Sequence, residues 1–275
     1  MDNEGVSNMW SKNENDIVRD ENDDVEILIY NVLGDRAEQQ DTFGYKITPK
    51  KCYCVVADGM GGMNHGKMAS EYTVKECLNG ITDNDTFSYD EEMLEPIRRA
   101  DDFICSQTDE HGAKMNAGTT VVGVMIQNKL LNWASVGDSR AYLFRSGKYV
   151  QLTKDQNYRT YLDESLRAGA ISYEEYKEQI PRQEALINYI GMGTVRGSAF
   201  IDTNKVGLEL QSGDIVLVMS DGVYKVLPDE EMNRIVANVP DIVNMAQTLE
   251  MKMVSKSQTN RVSRDNTTLA VVRIK

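Results

Sequence analysis

Histidine is almost missing from this sequence: 275 residues contain only His65 and His111, which excludes a histidine-rich metal site. Cysteine is nearly as sparse. Cys52, Cys54, Cys77 and Cys105 form no C-x-x-C pair, so a zinc knuckle and a thioredoxin-like motif are both excluded, and the thiols read as reduced and buried. No run approaches the roughly 18 uncharged apolar residues of a membrane span, and the first 24 residues are acidic and polar, unlike a secretory leader. A cytoplasmic protein is expected. Basic charge is also short: a formal net charge of -13 gives a nucleic acid or an anionic membrane little to bind. Any metal here must be held by oxygen.

What is present is an ordinary globular composition, 41% hydrophobic and 27% charged, enough to bury one large core. Residues 1–24 are rich in Asn, Asp and Glu and are expected to form a disordered tail, with one domain over 25–275. Short β-branched and aromatic segments predict strands at 25–31, 52–57, 119–127, 130–136, 140–145, 214–220 and 267–274. The separators "QNKL" and "RSGKY" predict antiparallel hairpins. Helical spacing links Ile242, Met245, Ala246, Leu249 and Met253, and a longer helix over 90–107 is expected to kink near Pro96. Grouped strands with helices elsewhere favour α+β with largely antiparallel sheets.

Four times an aspartate stands beside glycine or asparagine at one end of an apolar strand: Asp58 with Gly59, Asp138 with Gly137, Asp221 with Gly222, and Asp265 with Asn266. Each alone is an ordinary turn dipeptide. If the four ends converge, the carboxylates cannot all stay ionised without a cation, and oxygen-only ligands suit Mg²⁺ or Mn²⁺.

The segments "VVADGMGG", "GTTVVGVMI", "WASVGDSRAYLFRSGKYVQLTKDQN", "SGDIVLVMSDGVYKVLPDEE" and "RDNTTLAVVRI" resemble, in order and context, the motifs of the metal-dependent PP2C (PPM) family of protein serine/threonine phosphatases. "GDRAEQQDTF" at 34–43 looks like that family's first motif, and the DGMGG form is similar to the bacterial branch. The resemblance covers about residues 25–275. It implies a four-layer αββα sandwich of two mainly antiparallel sheets, with a binuclear metal centre at one edge. The reaction it implies is hydrolysis of phosphoserine and phosphothreonine by direct attack of a water bridging two tightly bound Mg²⁺ or Mn²⁺ ions.

Carried over residue by residue, Asp58 would bridge the two ions, the Gly59 carbonyl would bind one, and Asp221 and Asp265 would hold the other. Asp41 would support the site, Asp138 with Asp221 would take a weaker third ion, Arg36 would bind the substrate phosphate, and Asn266 would fix Asp265. Arg36, Asp41 and Asp58 would carry the chemistry. Residues 155–193 sit where the family carries a helical flap, and this favours the general phosphatase over the branch acting on anti-sigma-factor antagonists. A non-catalytic binding module is the alternative from another class, opposed by the intact aspartates. The implied partners are phosphorylated proteins, a cognate serine/threonine kinase and its substrates, with no nucleic acid or membrane and a monomeric state.

The sequence departs from the family at several places. Gln39 and Gln40 replace a common Asn-Glu pair, Met60 replaces the eukaryotic histidine, and Lys67 replaces an acidic residue common in bacterial members. His65 is a weak candidate for protonating the leaving group, and His111 is assigned nothing. Other chemistries fail on the residues. No cysteine begins a C-x5-R loop, "DNDTF" at 83–87 lacks the preceding strand of a D-x-D-x-[TV] nucleophile, and "GMGTVRG" at 191–197 misses the dinucleotide fingerprint by one residue.

Overall fold

Strands read as unbroken apolar runs rather than alternating ones because both of their faces are buried. In β5 (Lys51–Met60) of the computed structural model, Cys52, Cys54 and Val56 point into one core while Tyr53, Val55 and Ala57 point into another. The structure describes residues 6–11, 13–62, 65–83, 88–193 and 199–275; the stretches 83–87 and 191–197 noted above lie largely outside them.

The chain opens with β1 (Ser7–Trp10), β2 (Asp16–Glu21), β3 (Val25–Val32), β4 (Asp41–Ile47), β5, and helices α1 (His65–Gly80) and α2 (Glu95–Ser106). Next come β6 (Gly118–Thr119), β7 (Val121–Gln127), β8 (Leu130–Val136), β9 (Arg140–Arg145) and β10 (Lys148–Gln151). Helices α3 (Tyr158–Arg167) and α4 (Tyr173–Gln179) precede β11 (Asp202–Thr203), β12 (Leu208–Glu209) and β13 (Ile215–Met219). The last elements are α5 (Asp221–Tyr224), α6 (Asp229–Asn238), α7 (Ile242–Asn260) and β14 (Thr267–Ile274).

Two antiparallel sheets result. One runs β1-β4-β5-β7-β8-β11, with β6 on β5 and β12 on β8, and the other runs β10-β9-β13-β14-β3-β2. The core between them draws Ile27, Ile29, Phe43, Val56, Val124, Val218 and Ala270 from both inner faces. Helices α1 and α2 cover the first sheet, with Val74, Leu78, Ile97 and Ile104 against Tyr53 and Val55. Helices α6 and α7 cover the second, with Ile235, Met245 and Leu249 against Leu217 and Val271. This is the expected αββα sandwich. Among the described residues no helix is long and apolar enough to cross a membrane.

The hairpins form as expected: Asn128 and Lys129 between β7 and β8 have φ of 53° and 59°, which suits the turn twist of a tight hairpin. The long helix expected over 90–107 is divided. Residues Asp90–Leu94 make a π turn, and α2 starts at Glu95, just before Pro96, whose ring lacks the N–H a continuing helix would use. The segment 155–193, expected as a flap, is helical in part, with α3 capped by the Asn157 side chain and α4 by a capping box of Ser172 and Glu175.

The expected disordered tail is corrected at Ser7–Trp10 and Asp16–Glu21, which are edge strands on β4 and β3 respectively. Composition concealed a period-2 pattern in which β2 alternates half-buried and exposed positions. One anchor is ionic: Arg19 of β2 donates to the buried Glu26 carboxylate at 2.6 Å, opposite Arg273. Arg19→Ala should therefore destabilise the fold by on the order of 1.5 kcal/mol, because Glu26 loses one of two charged donors while Arg19 itself is half-exposed. Urea unfolding checks this, and an unchanged midpoint would mean that residues 16–21 do not contribute to the folded sheet.

Candidate functional site

The antiparallel register of β4 and β5 sets Asp41 opposite Asp58, so two of the expected carboxylates are placed by strand pairing alone. The second sheet delivers the others. Asp221 begins α5 immediately beyond β13, Asp265 precedes β14, and Asp138 lies in the β8–β9 turn. Asp58, Asp138, Asp221 and Asp265 line one cavity of about 670 Å³ together with Arg36, Gly59, Gln40 and Met60. From the flap segment, Glu184, Leu186 and Tyr189 complete its wall.

Asp41 lies beneath that cavity, 3% exposed, and its Oδ2 accepts from the Ser220 hydroxyl at 2.7 Å with the Thr268 hydroxyl 2.8 Å away. Its Oδ1 is buried with no hydrogen-bond partner. Burial pushes the Asp41 carboxyl up to about 7 against the two hydroxyl donors, with the charges of Asp221 and Asp265 adding smaller upward contributions. Asp138 is pushed up to about 6 by burial and by Asp221, and Asp58 rises well above the usual carboxylate range for the same reasons, with Asp41 adding to them.

Two protein cations partly relieve this crowding. Arg36 donates to Asp265 Oδ2 at 2.6 Å, and the Lys225 ammonium donates to Asp221 Oδ2 at 2.6 Å while lying 3.2 Å from Glu184. Asn266 fastens the loop that carries Arg36: its amide donates to the carbonyls of Leu33 and Glu38, and its Oδ1 accepts from the Gln40 N–H. The Asn266 N–H also holds Asp265 Oδ1 at 2.9 Å.

Glycine at 59 has a steric cause. A Cβ there would lie 2.2 Å from the Gly66 carbonyl oxygen, so β5 and the start of α1 cross with no room for a side chain on either backbone. A Cβ at Gly222 would likewise lie 2.1 Å from the Asn266 carbonyl oxygen, which keeps Asp221 and Asp265 on neighbouring backbones.

Among the described residues no three Asp, Glu, His or Cys groups are already drawn to coordinating spacing around one point. Two of the cavity carboxylates are instead engaged by Arg36 and Lys225. The donor set nonetheless suits hard divalent cations: four carboxylates with oxygen donors only, burial that disfavours the free ionised form of Asp58 and Asp138, and an orphaned Asp41 oxygen. His65 lines a separate depression with Gly62, Thr108 and Lys114 and is not among the residues of the carboxylate cavity. His111 is exposed. Gln39 is buried and accepts from the Asp41 N–H, while Gln40 reaches Glu38 and the Gly61 carbonyl. Lys225 and Glu184 went unnoticed in the sequence. The i,i+4 spacing of Asp221 and Lys225 was the available signal.

Known proteins match along most of the chain. The family model for Protein phosphatase 2C matches residues 33–259. The serine/threonine phosphatase stp of Listeria innocua is 30% identical over 205 residues, covering 73% of this chain and 78% of its own length. The protein phosphatase PhpP of Streptococcus pneumoniae is 28% identical over 248 residues, covering 89% and 95%. In structure, the S. agalactiae serine/threonine phosphatase superposes with a TM-score of 0.75 at 26% identity, covering 91% of this chain and 100% of that one. The catalytic domain of the phosphatase PstP, in complex with two manganese ions, gives a TM-score of 0.71 at 21% identity, covering 91% and 98%.

The raised carboxyls fix how stability depends on pH in the metal-free chain. Asp41 near 7 and Asp138 near 6 both lie above their unfolded value of about 3.9, so the folded state retains protons that the unfolded state has lost. Stability should therefore fall as pH rises from about 4 to 7. In EDTA the melting temperature is expected to be lower at pH 7.5 than at pH 5, and excess Mn²⁺ should flatten or reverse that slope. Identical slopes with and without Mn²⁺ would remove the carboxylate cluster as the cause.

Proposed function

The chain belongs to the protein phosphatase 2C family and is a serine/threonine protein phosphatase, and from that premise we propose that it hydrolyses phosphoserine and phosphothreonine in the cavity between Asp58, Asp221 and Asp265. Two divalent cations, Mg²⁺ or Mn²⁺, would be held there by Asp58, the Gly59 carbonyl, Asp221 and Asp265. When bound they would supply electrophilic activation of water and phosphate and offset the negative charge of the cavity. The observation that carries the reading is the convergence of carboxylates from two sheets on one cavity that also contains Arg36.

The residues of the chain divide the remaining work. Asp41, gripped by Ser220 and Thr268, holds the floor beneath Asp58 and keeps that carboxylate in a dry, negative setting. Asn266 positions both the Asp265 carboxylate and the loop of Arg36. Because Asp265 Oδ1 already accepts from Asn266, Arg36 must share Oδ2 with any other ligand of that carboxylate. Released from Oδ2, the guanidinium presents a planar fork to the cavity, the geometry that pairs with phosphate oxygens. Substrates are phosphoproteins, and those modified by a serine/threonine kinase of the same cell fit this chemistry. The flap residues Glu184, Leu186 and Tyr189 border the cavity where the polypeptide flanking the phosphate would lie.

Hydrolysis of a phosphothreonine peptide should vanish in EDTA and return with Mn²⁺, and Asp58→Ala should lose both Mn²⁺ binding and activity; turnover unaffected by EDTA would refute the metal site. Arg36→Lys should leave metal affinity nearly unchanged and lower kcat/KM roughly 10- to 150-fold, mostly through KM, since a charged hydrogen bond is worth about 1.5 to 3 kcal/mol. An unaltered KM would reduce Arg36 to a partner of Asp265.

A further inference from the structure

We propose that the Lys225 ammonium is the resident cation of the Asp138–Asp221 pair and excludes a third divalent ion, so that the loaded chain carries two. The inference rests on the two-ion reading given above and deepens it. Asp221 opens the single turn of α5 and Lys225 follows four residues later, which returns its ammonium to the Asp221 carboxylate at 2.6 Å. It bonds Oδ2, so Oδ1 remains for one of the two ions. Asp138 is 3% exposed and faces the same cavity, with its carbonyl accepting from the hydroxyl of Tyr224, the residue beside Lys225.

The lysine is held from one further direction, where Glu184 approaches its ammonium at 3.2 Å. The ring of its neighbour Tyr224 is covered by Arg140, whose guanidinium carbon lies 3.6 Å from the ring centroid. Arg140 is itself tied to Asp155 at 2.6 Å. An ammonium fixed by carboxylates on both sides supplies the charge that Asp138 and Asp221 need, and it needs no octahedral shell of its own. A divalent ion between the same two carboxylates would sit against a like charge.

Equilibrium dialysis of the full chain against Mn²⁺ counts the ions. The wild-type chain should saturate at two per molecule, and Lys225→Met, which keeps the apolar stem and removes the charge, should take up a third at millimolar Mn²⁺. Lys225→Arg should return the count to two, and adding Asp138→Asn to Lys225→Met should abolish the third ion. Three ions in the wild-type chain would overturn the proposal, even if Lys225→Met failed to fold. So would two ions in a Lys225→Met chain that retains the wild-type melting profile, or three in Lys225→Arg. Fewer than two ions in the wild-type chain would overturn the two-ion reading itself and this inference with it.

Discussion

Like-charge repulsion at the mouth of the sandwich organises this molecule. Five aspartates from two sheets meet there, and at least three have their carboxyls driven upward by burial and by one another. A cluster of this kind is unstable unless something holds it in place. Here the restraint is local and specific: hydroxyls of Ser220 and Thr268 on Asp41, a backbone N–H on Asp265, and one protein cation each on Asp265 and Asp221. The backbones approach so closely at Gly59 against Gly66, and at Gly222 against Asn266, that no side chain fits between them. The repulsion is built into the fold, and divalent cations are the natural way to relieve it.

The strands around this cluster were legible because burial on both faces makes them read as long β-branched runs; β8, β9 and β14 fall where the residues predicted them. The two N-terminal strands were not legible in composition. An edge strand buries only one face, and in β2 even the half-buried face carries Asp16 and Asp20 beside Val18 while Ile17, Arg19 and Glu21 are exposed, so its polarity outweighed its alternation. Asp58 and Asp221 stood out beside glycine after apolar runs and Asp265 beside Asn266 at the head of one, whereas Asp41 has neither neighbour and could be singled out only through the resemblance. Lys225 and Glu184 meet across a wide sequence separation, and no local pattern in either segment points to the other.

The acidic character of the chain also takes on a local meaning. A net charge of -13 would by itself repel a phosphorylated protein, so attraction has to be generated where the substrate binds. Arg36 and Lys225 are the cationic side chains lining the carboxylate cavity, and they stand on opposite partners, Asp265 and Asp221. Arg36 sits on a loop, more than half exposed, and donates to Asp265 Oδ2, which suits it to exchange partners. Lys225 is bonded to Asp221 one turn back and lies 3.2 Å from Glu184, two carboxylates that suit it to stay.

The order of the strands places the whole centre under the control of timing. β14 lies inside the second sheet, between β13 and β3, with Thr267 opposite Val32 and Ile274 opposite Val25. Asp265 and Asn266 immediately precede it. During synthesis β3 therefore emerges from the ribosome long before its neighbour exists, and the second sheet cannot close around its centre until β14 has been made. A chain not yet extended to β14 has neither Asp265 nor the Asn266 anchor of the Arg36 loop, so its carboxylate cavity is incomplete. Pairing of β14 with β3 and the anchoring of the Arg36 loop by Asn266 are therefore one event in folding.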